Sequence, residues 1–224
     1  TDTIAMFFGT SLIEVDLNTD SRNDDAFFIE HPNRNLDLDE TTIKVMGNGY
    51  YTNFNAPSYY IDYGNIYLYQ NAERFVAYVS DVDSIFLLCD SCDVSINRNT
   101  DANYVYSRSN LIIRSSGTFK KAEILGDLSS RYAHVYDTLI FAPESGAKTY
   151  SFQRYATTTI TDSIKFPDAS CDLNYTVQST SLGQNAILSK ASGTVVADYA
   201  VLNSITGTGG ATFTSIKGFL PSYS

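Results

Sequence analysis

Apolar and polar residues alternate along this chain in short runs, each closed by Gly, Asn, Asp, Ser or Thr. Ile4 to Phe8 stops at Gly9. Leu12 to Leu17 alternates and gives way to the polar stretch Asn18 to Asp25, and Phe27 to Ile29 ends at His31-Pro32-Asn33. A period of two bounded by turn residues predicts strands rather than helices. Thr42 to Met46, Gly47-Asn48-Gly49 and Tyr50 to Phe54 read as a hairpin. Tyr59 to Tyr63, Gly64-Asn65 and Ile66 to Tyr69 read as a clearer one, because Gly-Asn supplies the positive φ of a two-residue primed turn. The pattern therefore predicts an antiparallel β region over residues 1–72.

After residue 73 the runs shorten and follow one another closely, from Phe75 to Val79 through Ile85 to Leu88, Leu111 to Arg114 and Val135 to Phe141, to Val195 to Leu202 and Ala211 to Phe213. Many short strands between polar turns indicate a sandwich, a barrel or a solenoid. Ala72 to Val79 has the length of two helical turns as an alternative to a strand. Residues 80 to 96 read as successive rungs of a β-helix, with apolar residues inward and Asp, Ser and Asn at the corners. No fixed repeat period is legible. The predicted fold is all-β: an antiparallel region at 1–72 for attachment or capping, then a β-helix-like (solenoid) region at 73–224. The alternative is a single β-sandwich or jelly roll.

Composition agrees with strands. Of the 224 residues 43% are hydrophobic and only 18% charged, with 17 Tyr, 13 Phe and no Trp. Tyr, Phe, Thr, Val and Ile all suit a pleated, half-buried surface. The net charge of −10 argues against nucleic acid, which requires clustered cations; only Lys120-Lys121 stand together. No run approaches the roughly 20 apolar residues of a membrane-spanning helix. Ile4 to Phe8 is too short for a signal core and has no basic segment before it. Membrane insertion and signal-directed secretion are not predicted.

Chemical motifs are weak. Cys89-Asp90-Ser91-Cys92 is a CxxC, but a zinc site needs four ligands, and Cys171, His31 and His134 complete the cysteines and histidines of the chain. Its strand-like flanks favour two thiols packed in or beside a β core. Asp81, Asp83, Asp90, Asp93 and Asp101, like Asp16, Asp20, Asp24 and Asp25, lack a calcium-loop pattern and read as corners. Glycoside hydrolysis needs two facing carboxylates, which sequence does not identify among 25 acidic residues. No Gly-x-Ser-x-Gly elbow, P-loop or dinucleotide fingerprint occurs, and His134 reads as a strand residue rather than a base. The expectation is a chain without catalytic, cofactor-binding or metal residues.

The densest feature is aromatic: Tyr50, Tyr51, Phe54, Tyr59, Tyr60, Tyr63, Tyr67 and Tyr69. Tyrosine combines apolar area with a polar tip and suits interfaces and sugar stacking. Alternate tyrosines lining the core while the rest cover a sheet face is the other reading. The functional expectation is a subunit interface containing Tyr50, Tyr51, Tyr59, Tyr60, Tyr63, Tyr67 and Tyr69.

One segment carries a family likeness. It comprises Thr149-Tyr150-Ser151-Phe152, Tyr175 to Thr180, Gly183-Gln184, Leu188 to Val195, Asp198-Tyr199 and Thr208 to Phe213. Residues 149–213 resemble a β-rich module of tailed-phage structural proteins and related metagenomic proteins, in which it is similar to part of a right-handed β-helix on the virion. The likeness covers under a third of the chain. It departs after the Gly-Gly-Ala-Thr-aromatic step, where Ile216 to Pro221 replace a Gly- and Asn-rich stretch. The resemblance implies a non-enzymatic virion protein of the tail fibre, tail tip or capsid decoration. It also implies a homo-oligomer, often a trimer, among other virion proteins. A carbohydrate-binding adhesin or receptor-binding protein, contacting host-surface glycan, is the alternative.

Overall fold

The computed structural model describes residues 12–17, 26–30, 37–47, 51–55, 62–68, 74–78, 81–88, 93–96, 101–114, 116–144, 146–166 and 175–214, with side chains at 83–88 and from residue 101 onward. These residues form twenty-one strands, numbered in chain order, and no helix. One sheet holds ten strands. In spatial order they are β1 (Leu12–Leu17), β3 (Asp37–Gly47), β5 (Asp62–Leu68), β7 (Asp81–Leu87), β9 (Asp101–Ser107), β11 (Gly117–Ile124), β13 (His134–Phe141), β15 (Thr157–Lys165), β17 (Ala186–Lys190) and β20 (Ile205–Thr208). A second sheet holds nine: β19 (Ala200–Asn203), β16 (Tyr175–Ser179), β14 (Lys148–Phe152), β12 (Leu128–Ser130), β10 (Asn110–Ile113), β8 (Asp93–Ile96), β6 (Arg74–Tyr78), β4 (Tyr51–Asn55) and β2 (Ala26–Glu30). A small third sheet pairs β18 (Thr194–Val196) with β21 (Thr212–Thr214).

The all-β expectation holds, but its antiparallel part does not. Every strand pairing among the described residues is parallel, including β1 with β3, β2 with β4 and β3 with β5. Neither predicted hairpin exists. Thr42 to Met46 lies in β3 and residues 51–54 in β4, and these strands belong to different sheets. Residues 62–68, which include Gly64-Asn65, form one uninterrupted strand. A parallel neighbour needs a crossover, and here the crossover from one strand to the next in its sheet runs through the opposite sheet. A jelly roll is built from antiparallel strands, so that alternative lacks its defining pairing. The same parallel pattern runs on both sides of residue 72, and Ala72 to Val79 contains strand β6 rather than a helix. Ile4 to Phe8 and the tail from Ile216 lie outside the described residues.

In-register parallel pairing stacks like on like. One row of the first sheet reads Ile13, Ile43, Ile66, Ile85, Val105, Ala122, Leu139, Ile164. From Ile85 onward each member is buried. A fully buried aliphatic side chain contributes on the order of 1.5–3 kcal/mol, so the row alone is a large part of what holds adjacent strands together. From the second sheet Leu111, Ile113, Leu128, Tyr150, Phe152 and Val177 join the same core. Phe141 of β13 stacks on Tyr150 of β14 at 3.9 Å between ring centroids and ties the two sheets face to face.

In the middle of the first sheet the strands carry a corner, a break in the inward alternation. Inward positions step by three at one place: Ala102 to Val105, Phe119 to Ala122 and Tyr136 to Leu139. From Ile160 to Ile164 the step is four, and the register between β13 and β15 shifts there. From β5 to β13 the pairing passes over one row, Gly64, Asp83, Asn103, Lys120 and Asp137, and resumes in register beyond it. Polar side chains hold this corner, as where Asn103 Nδ2 donates to Asp83 Oδ1 at 2.7 Å. Other acidic residues open strands: Asp81, Asp93 and Asp101 begin β7, β8 and β9. The Asp101 carboxylate accepts the Thr118 N–H at 2.7 Å, and Asp127 accepts that of Thr149 at 2.6 Å, each across to the following strand of the sheet.

At Gly207 and Gly126 a glycine allows close approach of neighbouring segments. The ring of Phe213 occupies the space a Cβ on Gly207 would need, so the segment carrying β21 lies over β20. Gly126 sits against the carbonyls of Arg108 and Ser109, and a Cβ there would run into the Ser109 carbonyl oxygen. Gly126→Ala is therefore expected to destabilise by roughly 1–3 kcal/mol through backbone displacement. A urea midpoint equal to that of the unmodified chain would contradict this.

Candidate functional site

Two outward surfaces carry chemistry. On the first sheet the outward rows are Ser84, Tyr104, Lys121, Thr138, Ser163 and Phe86, Tyr106, Glu123, Ile140, Lys165. Phe86 meets Tyr104 edge to face at 5.5 Å, and the Lys121 ammonium stands 4.8 Å over the Tyr104 ring. The Tyr104 hydroxyl donates to Glu123 at 3.1 Å, and Lys121 pairs with Glu123 at 3.4 Å. Partial burial, then the bond to Glu123, push the Tyr104 phenol up to about 12. These groups satisfy one another across neighbouring strands, as exposed cross-strand pairs do, for about 0.2–1 kcal/mol each. The patch is a brace for the sheet.

The predicted tyrosine interface meets this patch at one point. Tyr67 in β5 is the register partner of Phe86, whereas Tyr63 pairs with Val82, whose next partner is the buried Ala102. Two tyrosines four residues apart in one strand thus belong to different rows, separated by the corner. Tyr51 begins β4. Tyr50, Tyr59, Tyr60 and Tyr69 lie outside the described residues, as do Cys89, Cys92, Cys171 and His31.

The second sheet presents a polar groove of about 460 Å³. Its floor is one in-register outward row, Ser129, Ser151 and Gln178, between the buried positions of β12, β14 and β16. Directly after those strands come Arg131, Gln153 and Thr180, which form one wall with Arg154 and Ser181. The groups are preorganised. Gln178 Nε2 donates to Ser151 Oγ at 3.1 Å, and Thr180 accepts the Arg154 backbone N–H at 3.1 Å. The Arg154 guanidinium donates to Gln184 at 3.0 Å. The Arg131 guanidinium has no hydrogen-bond or ion-pair partner among the described residues. Among the described residues no carboxylate lines the groove, although the chain as a whole is strongly acidic. Tyr155, in the same turn as Arg154, holds φ at 57° and leaves its ring 72% exposed. A left-handed backbone is uncommon at a bulky residue.

His134 lies where its flanking sequence places it, in a strand. It opens β13 with 1% of its surface exposed and stacks near Phe119 and Tyr136. The groove residues were not legible as a group from sequence. Leu111 lies opposite Leu128, Leu128 opposite Tyr150 and Tyr150 opposite Val177, so register partners in successive strands of this sheet are 17, 22 and 27 residues apart. Without a constant period nothing in the sequence aligns Arg131 with Gln153 or Thr180.

Comparison with models of protein families, with curated proteins and with solved structures finds no match for the chain.

Proposed function

We propose that the chain is a non-enzymatic β-solenoid of the kind that builds virus particles, acting by homo-oligomeric assembly and surface contact. What carries the reading is the in-register stacking: rows such as Ile85, Val105, Ala122, Leu139, Ile164 pass through successive parallel strands while the chain alternates between two sheets. Stacked coils of that type bury a continuous core and present long, regular outer faces, which suit a rigid structural element. The likeness of residues 149–213 to a phage structural module, which here spans most of β14 to β21, supports a place on a virion as part of a tail fibre, tail tip or capsid decoration. The tyrosines around Tyr67 remain the proposed subunit interface.

Light scattering on the purified full chain tests assembly. The expected result is a defined homo-oligomer, such as a trimer, at micromolar concentration; a monomer there would sink the assembly reading. Tyr67→Ser is expected to shift that oligomer toward smaller species while the far-UV circular dichroism stays that of β structure. A second reading, a carbohydrate-binding adhesin, is favoured by the groove on the second sheet.

A further inference from the structure

We propose that the groove over β12, β14 and β16 is a binding site for an acidic oligosaccharide, with Arg131 and Arg154 taking its carboxylate or sulfate groups. The proposal deepens the surface-contact reading and rests on it, but it does not depend on oligomeric state.

The lining selects the ligand class. Arginine guanidinium presents planar, paired donors that match a carboxylate or sulfate, and it is more weakly hydrated than an ammonium. Ser129, Ser151, Gln178 and Thr180 add hydroxyl and amide groups able both to donate and to accept, as sugar hydroxyls require. The lining is polar throughout, unlike the mostly apolar pockets that hold compact small molecules. The groove crosses three parallel strands, which are spaced about 4.8 Å apart, so its donors repeat along one direction and suit a chain-like ligand. Tyr155 adds an exposed ring beside Arg154. The charge balance points the same way: in a chain of net charge −10, two arginines stand in a groove that no acid lines among the described residues. With Lys120 and Lys121 on the other sheet, the groove is not part of a broad basic surface of the sort nucleic acid needs.

The test is an array pairing uronate-, sialate- and sulfate-bearing oligosaccharides with their uncharged counterparts, probed with the full chain. A short single-stranded oligonucleotide serves as a polyanion control. Binding is expected on acidic members of the pairs and not on the neutral ones. Arg131→Gln and Arg154→Gln should each weaken it roughly tenfold or more, the scale of one charge-assisted hydrogen bond. Lys120→Gln with Lys121→Gln should leave it unchanged. Melting temperatures of the arginine variants should match the unmodified chain, since both side chains are exposed. Equal binding to neutral partners, equal binding to the oligonucleotide, no loss in the arginine variants or no binding to any acidic sugar would overturn the proposal. A blank array beside an intact oligomer would defeat this inference while leaving the assembly reading standing.

Discussion

Phe141→Ala is expected to cost about 3–5 kcal/mol of stability, the range for deleting a buried aromatic ring. Phe141 ends β13 with 1% of its surface exposed, and its ring stacks on Tyr150 from the opposite sheet. Phe166 packs against the same ring at 5.3 Å and Phe152 meets its edge at 6.4 Å. Each aromatic pair adds about 0.5–1.5 kcal/mol beyond the area it buries, so alanine removes both a volume and a set of oriented contacts. Collapse around the gap is restricted because the neighbours sit on two sheets whose registers are fixed by main-chain bonds. Phe141→Leu should recover most of the loss. Tyr104→Ala, on the solvent side of the first sheet, should cost about 1 kcal/mol or less. Urea unfolding followed by tyrosine fluorescence, usable because the chain has no Trp, measures all three. Equal losses for Phe141→Ala and Tyr104→Ala would show that the two sheets do not share the core described.

The strands were legible because alternation marks a half-buried strand whatever its neighbour does. Strand direction was not, because Val105 or Leu139 faces inward equally in an antiparallel and a parallel pair. Gly64-Asn65 carried a genuine signal with the wrong amplitude. Gly64 occupies the row that the ladder skips, shared with Asp83, Asn103 and Lys120, and the strand continues beyond it without reversing. A dipeptide suited to a sharp turn also suits an irregularity within a strand, and only the strand beyond decides between them. Within the run from Ser80 to Ile96, β7 and β8 go to different sheets. At the candidate site, the outward serines and Gln178 follow from alternation in each strand. Their convergence with Arg131 and Arg154 depends on loops of unequal length, which leave no period to read.

Acid should destabilise the fold through His134, by an amount on the order of 3 kcal/mol between pH 6.5 and 4. The Nδ1 atom of His134 lies 2.9 Å from the Tyr132 carbonyl oxygen, which only accepts, so Nδ1 carries the proton of the neutral ring. Nε2 is then a bare acceptor, buried without a partner among the described residues. Protonation would place a charge and an N–H within the apolar layer of Phe119 and Tyr136, and burial accordingly lowers the His134 pKa from 6.5 to about 4. The sign follows from proton counting. Below pH 6.5 the unfolded chain binds a proton at this histidine while the folded chain does not, until the pH nears 4. Stability is therefore complete above pH 6.5 and falls by up to about 1.4 kcal/mol per pH unit across that window. His134→Phe keeps a ring against Phe119 and Tyr136, and Ser130 Oγ, 3.3 Å from the Tyr132 carbonyl, remains as its donor. Urea unfolding of the two proteins at pH 7.0, 6.0, 5.0 and 4.5, values set by the histidine window, isolates this residue from the carboxylates and the other histidine. The unmodified chain should lose stability faster than His134→Phe as the pH falls. Parallel curves would mean that His134 accepts its proton in the folded state and that the buried, neutral ring described is wrong.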